Sequence, residues 1–283
     1  MSAASLIIDT HQHFWRYDTA EYGWIDDSMS ALRRDFLPSD LQHEMAAAGV
    51  QASIAVQARQ TLEETRWLLE LADRHPFIAG VVGWVDLQGD GVDAELERMS
   101  QHRRLVGVRH IVQGEPDGFL GRPAFLRGVE CLERHGLTYD ILVYARQLPA
   151  AVTFARAFPR QRFVLDHLGK PDVKGNGYQI WRTHFDRLAE LPNVCCKLSG
   201  LVTEAEWTSW TSEELRPYLD AALEAFGPSR LMIGSDWPVC LVAATYGDVI
   251  ALVRDAIGEY SIDERDQILS GTAKEFYLQG ASA

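Results

Sequence analysis

The segment Leu6-Ile7-Ile8-Asp9-Thr10-His11-Gln12-His13 is an apolar run that ends on two histidines two positions apart. Successive side chains of an extended strand alternate between faces, so His11 and His13 project to the same side. Two imidazoles then meet where a strand ends, which suits a metal ion or a water molecule about to react. Taken alone, such a pair equally suits ordinary hydrogen bonding at a strand terminus. The rest of the chain raises its significance by bringing His167 and Asp236 to the ends of later strand-like runs.

Those later runs cover 52–58, 78–87, 105–111, 138–144, 162–168, 194–200 and 231–238, which with 6–13 makes eight. Amphipathic segments separate them. Thr61-Leu62-Glu63-Glu64 reads as a capping box opening a helix that stops at Pro76. Pro123 and Pro149 suit a first helical turn, and Gly136 suits a helix C-terminus. Eight strand-then-helix units predict an α/β fold, a (β/α)8 TIM barrel, as a single domain over 1–283. A doubly wound open sheet is the alternative, but no Gly-x-Gly-x-x-Gly follows any of the runs.

In a barrel, reactive groups gather at the C-terminal ends of the strands. Alternation counted from His11 and His13 selects Gln57 on the second strand, Trp84 and Asp86 on the third, and Arg109 on the fourth. The same count selects Asp140 and Tyr144 on the fifth, His167 on the sixth, Lys197 and Ser199 on the seventh, and Asp236 on the eighth. Burying so many polar groups is costly unless they are paired or used. Two long connections, 14–38 with Trp15 and Trp24 and 201–212 with Trp207 and Trp210, suit lids whose aromatic faces cover a sugar ring. Packing of the loops onto the barrel is the competing use of those rings.

Composition narrows the setting. The hydrophobic share of 47% and charged share of 24% are those of an ordinary globular chain. A formal net charge of −13 argues against nucleic acid or an anionic membrane as partner. The four cysteines, Cys131, Cys195, Cys196 and Cys240, form no zinc pattern and read as reduced, mostly buried thiols, with Cys195 and Cys196 on opposite faces. The start shows neither a basic n-region nor a long apolar run, so a cytoplasmic location is expected.

Chemically, a carboxylate beside imidazoles can take a proton from water and return it to a leaving group. The same groups could instead hold a divalent ion. Arg109 offers a cationic fork for a developing oxyanion or a carboxylate, and Lys197 a point charge, unless it is spent on an ion pair inside the barrel.

The stretches IDTHQHFW, FVLDHLGKP, CKLSGLVTEA, LMIGSDWPV and GTAKEFY, in this order from His11 to Tyr277, resemble the amidohydrolase superfamily and in particular its sugar-lactonase branch, which includes L-fuconolactonases and L-rhamnonolactonases. The resemblance implies ring opening of an aldono-lactone by water. It implies Asp236 as general base and acid, His167 holding the incoming species, and the oxyanion stabilised by Arg109, by a metal, or by the His11/His13 pair. Gln57, Trp84, His110, Tyr144 and Lys197 are then substrate-binding candidates, with Trp15 and Trp24 as ring covers. Two features depart from the wider superfamily: the fifth strand, TYDILVY, lacks a histidine, and the fourth reads VGVRHIV, without a metal-bridging lysine or glutamate. A bridged two-metal site is therefore not expected. What remains is one divalent ion, zinc before others, on His11, His13 and Asp236, or catalysis with no metal. A metal-dependent decarboxylase and a non-catalytic sugar-acid binding protein are the alternatives.

Overall fold

The computed structural model describes residues 5–279. Each apolar run forms a strand, and helices fill the intervals. In chain order these are β1 (Ile8–Gln12), α1 (Pro38–Ala48), β2 (Ala52–Val56), α2 (Leu62–Arg74), β3 (Ile78–Gly83), α3 (Val92–Ser100), β4 (Leu105–His110), α4 (Pro123–Arg134), β5 (Thr138–Ile141) and α5 (Leu148–Ala157). They continue as β6 (Phe163–Leu165), α6 (Tyr178–Ala189), β7 (Val194–Leu198), α7 (Leu201–Glu204), α8 (Ser212–Phe226), β8 (Leu231–Ile233), α9 (Tyr246–Ala256), α10 (Ile262–Asp266) and α11 (Thr272–Phe276).

The strands pair in parallel in the order β1 to β8. Closure comes from the residues just beyond β8. Asp236 N donates to His11 O at 2.8 Å and His13 N to Trp237 O at 2.7 Å. Thr10 Oγ1 adds a bond to Ile233 O at 2.7 Å. The fold is the expected (β/α)8 barrel; residues 1–4 and 280–283 of the single domain lie outside the described residues. Among the described residues no helix is long and apolar enough to cross a membrane.

Several strands end earlier than their apolar runs. Beyond β3, the Thr65 hydroxyl takes over both backbone groups of Trp84, accepting from its N–H and donating to its carbonyl, each at 2.8 Å. Beyond β6 and β8 the chain turns left-handed at His167 (φ 53°) and Asp236 (φ 57°). Apolar content overreaches because the floor of the loops is buried as thoroughly as the strands. The capping box at α2 is half made: Thr61 Oγ1 accepts from Glu64 N at 3.1 Å, but the Glu64 carboxylate instead accepts from Ala58 N and Arg59 N at 2.9 and 2.7 Å. Two free donors in the β2–α2 loop outbid the cap's own N–H.

Inside the barrel, Ile8, Ile54, Val56, Val82, Val164, Cys195 and Met232 form an apolar cluster, and Tyr277 enters it from beyond α11. Ile7 and Cys196 belong instead to the outer core between strands and helices. The two adjacent cysteines thus face opposite sides, as alternation requires, and all four cysteines are free and buried.

One irregularity positions the chemistry. Asp9 pairs with Ser53 but Gln12 with Ala55, so β1 advances three residues against two on β2. This is a bulge. Strict alternation from the inward Ile8 would send His11 outward; the extra residue turns His11 and His13 into the barrel mouth.

Candidate active site

His11, His13 and His167 converge on one carboxylate oxygen. Asp236 Oδ1 lies 3.8 Å from His11 Nε2, 3.5 Å from His13 Nε2 and 3.8 Å from His167 Nε2. All four residues are buried. The His13 Nδ1 faces the Val56 carbonyl at 2.8 Å and must donate to it, which leaves the Nε2 lone pair facing Asp236. His167 Nδ1 lies 2.9 Å from Ser199 Oγ.

Backbone strain brings these groups in. His167, Leu168, Gly169 and Lys170 all have positive φ, between 48° and 69°. Each non-glycine residue so placed costs about 1–2 kcal/mol. The turn is held by Trp181, whose indole N–H donates to Leu168 O at 2.7 Å. It also needs Gly200, at φ 66°, where a Cβ would stand 2.5 Å from His167 Nδ1. Asp236 is fixed by the preceding Ser235, whose N–H and hydroxyl both donate to the Asp9 carboxylate at 2.8 and 2.6 Å. Burial pushes the Asp9 carboxyl up to about 6 despite these bonds.

Electrostatically, burial drives the His11 and His167 imidazoles well below the ordinary histidine value, so both are neutral near pH 7. Burial alone would raise the Asp236 carboxyl, but His167, His13 and Lys170 outweigh it and leave it below the usual carboxylate value. The mouth therefore carries an ionised carboxylate beside the neutral rings of His11 and His167.

A charged layer lies beneath. Lys197 Nζ sits 2.6 Å from Asp140 Oδ2, 3.0 Å from Asp166 Oδ1 and 3.2 Å from His11 Nδ1. Asp140 Oδ2 also accepts from the Tyr277 hydroxyl at 2.6 Å. Arg109 Nη1 reaches both Asp166 Oδ2 at 3.0 Å and His11 Nε2 at 3.1 Å, while Nη2 donates to the Gln57 carbonyl. Of the Arg109 donors, only Nε–H is without a partner among the described residues. Because Arg109 donates to His11 Nε2, His11 Nδ1 carries the proton and turns it toward Asp166 Oδ1, 3.3 Å away.

Above the site opens a cavity of about 550 Å3. Of the residues expected to touch substrate or take part in chemistry, His13, Trp15, Trp24, Arg109, Tyr144, His167 and Asp236 line it. His11, Gln57, Trp84, His110 and Lys197 are not among the lining residues. Gln57 is fully buried and donates to Arg109 O at 3.1 Å. His110 follows the inward Arg109 and so faces outward, stacked on Phe119 at 4.6 Å, where its Nδ1 accepts from the Trp84 indole at 3.3 Å. Lys197 is fully enclosed below the site. Trp15 is itself packed tightly against Phe36 and the loop, its indole N–H donating to Arg34 O at 3.0 Å.

Sequence reasoning missed Asp166, Lys170 and Glu204. Alternation from Val164 would have found Asp166. Lys170 and Glu204 depend on the left-handed turn and on α7, and nothing in their local pattern announces either.

The donor set fits one divalent ion. Ligands of a four-coordinate zinc stand roughly 3.3 Å apart, close to the 3.5–3.8 Å separations here. His11, His167 and Asp236 place one ligand atom each within 4.8 Å of one another, and His13 has its outer nitrogen anchored on a carbonyl as metal-binding histidines do. His11 could serve only by giving up its contact with Arg109.

Comparison with known proteins agrees with this geometry. The family model described as Amidohydrolase matches residues 8–278. An L-fucono-1,5-lactonase of Burkholderia multivorans is 47% identical, with 96% of each chain covered. A second L-fucono-1,5-lactonase, of Burkholderia ambifaria, is 38% identical over 95% of this chain and 94% of its own. A crystal structure of an amidohydrolase from Burkholderia multivorans with bound zinc superposes with a TM-score of 0.93 at 45% identity, covering 97% of this chain and 99% of that one.

Proposed function

This chain belongs to the amidohydrolase family, and on that premise we propose that it opens the ring of an aldono-lactone with water, L-fucono-1,5-lactone being the reference substrate taken from its relatives. The observation that carries the reading is the ionised Asp236 facing three imidazoles at the floor of an aromatic-walled cavity.

In this mechanism Asp236 accepts a proton from a water molecule held between it and His167. The resulting hydroxide adds to the lactone carbonyl. The oxyanion is stabilised by the fixed charge of Arg109, whose unclaimed Nε–H is its remaining donor. The tetrahedral intermediate collapses, the carbonyl–ring oxygen bond breaks, and Asp236 returns its proton to the departing ring oxygen. Trp15 and Trp24 cover the ring, and Tyr144 contributes a hydroxyl from the opposite rim.

His11, His13, His167 and Asp236 would hold a single divalent ion, zinc by the nature of the donors. When bound, such an ion polarises a carbonyl and acidifies water. Four free, buried cysteines support action in the cytoplasm.

Asp236→Asn tests the reading. It should fold normally and lose at least about 1,000-fold in kcat for lactone opening, followed by acid release with a pH indicator. Near-normal turnover would remove Asp236 from the reaction.

A further inference from the structure

Among the described residues, five non-glycine residues have left-handed backbone: His167, Leu168, Lys170, Asn176 and Asp236. Three of them, His167, Lys170 and Asp236, line the cavity. Strain of this kind persists where the surrounding fold enforces it for a purpose. His167 and Asp236 have places in the reaction; Lys170 has none.

The company Lys170 keeps points to its use. Its ammonium donates to Glu204 Oε1 at 2.9 Å, its one acceptor among the described residues, and sits 5.6 Å from the centre of the Tyr144 ring. Glu204 lies on α7, at the end of β7, and also lines the cavity. The side chains of Lys170 and Glu204 are only 14% and 17% exposed. Removing two charges from water is expensive, and a pair with a purely structural task could be replaced by apolar groups at no loss. Among the described residues, the pair also leaves two ammonium hydrogens and Glu204 Oε2 without hydrogen-bond partners. Lys197, by contrast, spends its charge on buried carboxylates, and Arg109 uses all its donors but Nε–H inside the barrel. Trp24, Met29, Val239 and Val242 give other parts of the cavity an apolar lining, so polarity is unevenly distributed around a bound ring.

We propose that Lys170 and Glu204 form a hydroxyl-reading subsite that grips two neighbouring hydroxyls of the sugar ring, the ammonium donating to one and the carboxylate accepting from the other. Each hydroxyl is both donor and acceptor, so a donor beside an acceptor matches a vicinal diol and rejects a ring without one. This rests on the lactonase reading above and names the part of the substrate that the site reads.

The test compares L-fucono-1,5-lactone with δ-valerolactone, the same six-membered ring without hydroxyls, in wild type, Lys170→Met and Glu204→Gln. The preference for the sugar lactone in kcat/KM should fall about 30-fold or more in each variant, mainly through KM, as expected for loss of a charge-assisted hydrogen bond. An unchanged preference, including equal losses on both substrates, overturns the proposal. Glu204→Gln is nearly isosteric and keeps the test valid if Lys170→Met folds poorly by circular dichroism. If wild type opens neither lactone, the lactonase reading fails. The subsite is then decided by calorimetric binding of L-fuconate: at least tenfold weakening in the variants sustains it, and equal affinity overturns it.

Discussion

Lys197→Met is the most informative perturbation of the barrel interior. Lys197 is fully buried and is the shared counter-ion of two carboxylates, Asp140 at 2.6 Å and Asp166 at 3.0 Å, both themselves fully buried. Methionine fills similar volume, so packing loss is small, and the cost is that of stranding the anions. Removing one partner from a buried ion pair costs about 3–5 kcal/mol. At about 2 °C per kcal/mol for a chain of this length, Tm should drop by roughly 6–10 °C at pH 7.5 in a calorimetric or circular dichroism melt. The deficit should shrink at acid pH. Burial already raises the Asp140 carboxyl, with Lys197 opposing it, so without the lysine Asp140 protonates more readily as pH falls. Adding Asp140→Asn should restore part of the loss. Because Lys197 lies outside the cavity lining, kcat should fall through the disturbed His11 while KM moves little. A Tm within 1 °C of wild type, or a change confined to KM, refutes this account of the layer.

Gly200→Ala should reduce kcat at least tenfold, because the new methyl would press on His167 at a position where φ is 66°; unchanged turnover would show that the left-handed turn has slack. Burial pushes the Glu64 carboxyl from 4.5 up to about 7, so its protonated form favours the fold. That contribution, up to about 3 kcal/mol, is complete below pH 4.5 and lost as pH rises through 7. Glu64→Gln should therefore flatten the decline of Tm between pH 4.5 and 7, and parallel wild-type and variant profiles would count against it. Exhaustive chelation should lower lactone turnover and zinc should restore it; full activity in protein shown metal-free by elemental analysis would mean that the side chains suffice.

Much of the fold is legible in the chain because its signals are local. Eight apolar runs, Pro123 and Pro149 in first helical turns, and positive φ at Gly136 are each read from a few neighbouring residues. The four groups at the barrel mouth are legible for a related reason, since all lie at or within three residues of a strand's C-terminal end. The rest depended on irregularities that periodicity does not encode. A bulge in β1 turns His11 inward, and a left-handed turn, not strand alternation, delivers His167. Gln57 and Lys197 are selected by counting, but which polar residue meets substrate and which props up another depends on depth along the barrel axis; His110 comes only with the resemblance and faces outward. Asp166 shows the converse: it obeys alternation, and what hid it was a more conspicuous histidine next door.

The Tyr277 hydroxyl, bonded to Asp140 from beyond α11, has a consequence for how this protein is made. Until that residue arrives, the lower opening of the cylinder admits solvent to Asp140 and through it to Lys197. During synthesis all eight strands can emerge and associate while their axis is still wet. Expulsion of water from the barrel then awaits a segment made well after the sheet, and only with it do the interior charges acquire the low-dielectric surroundings that make their pairing selective.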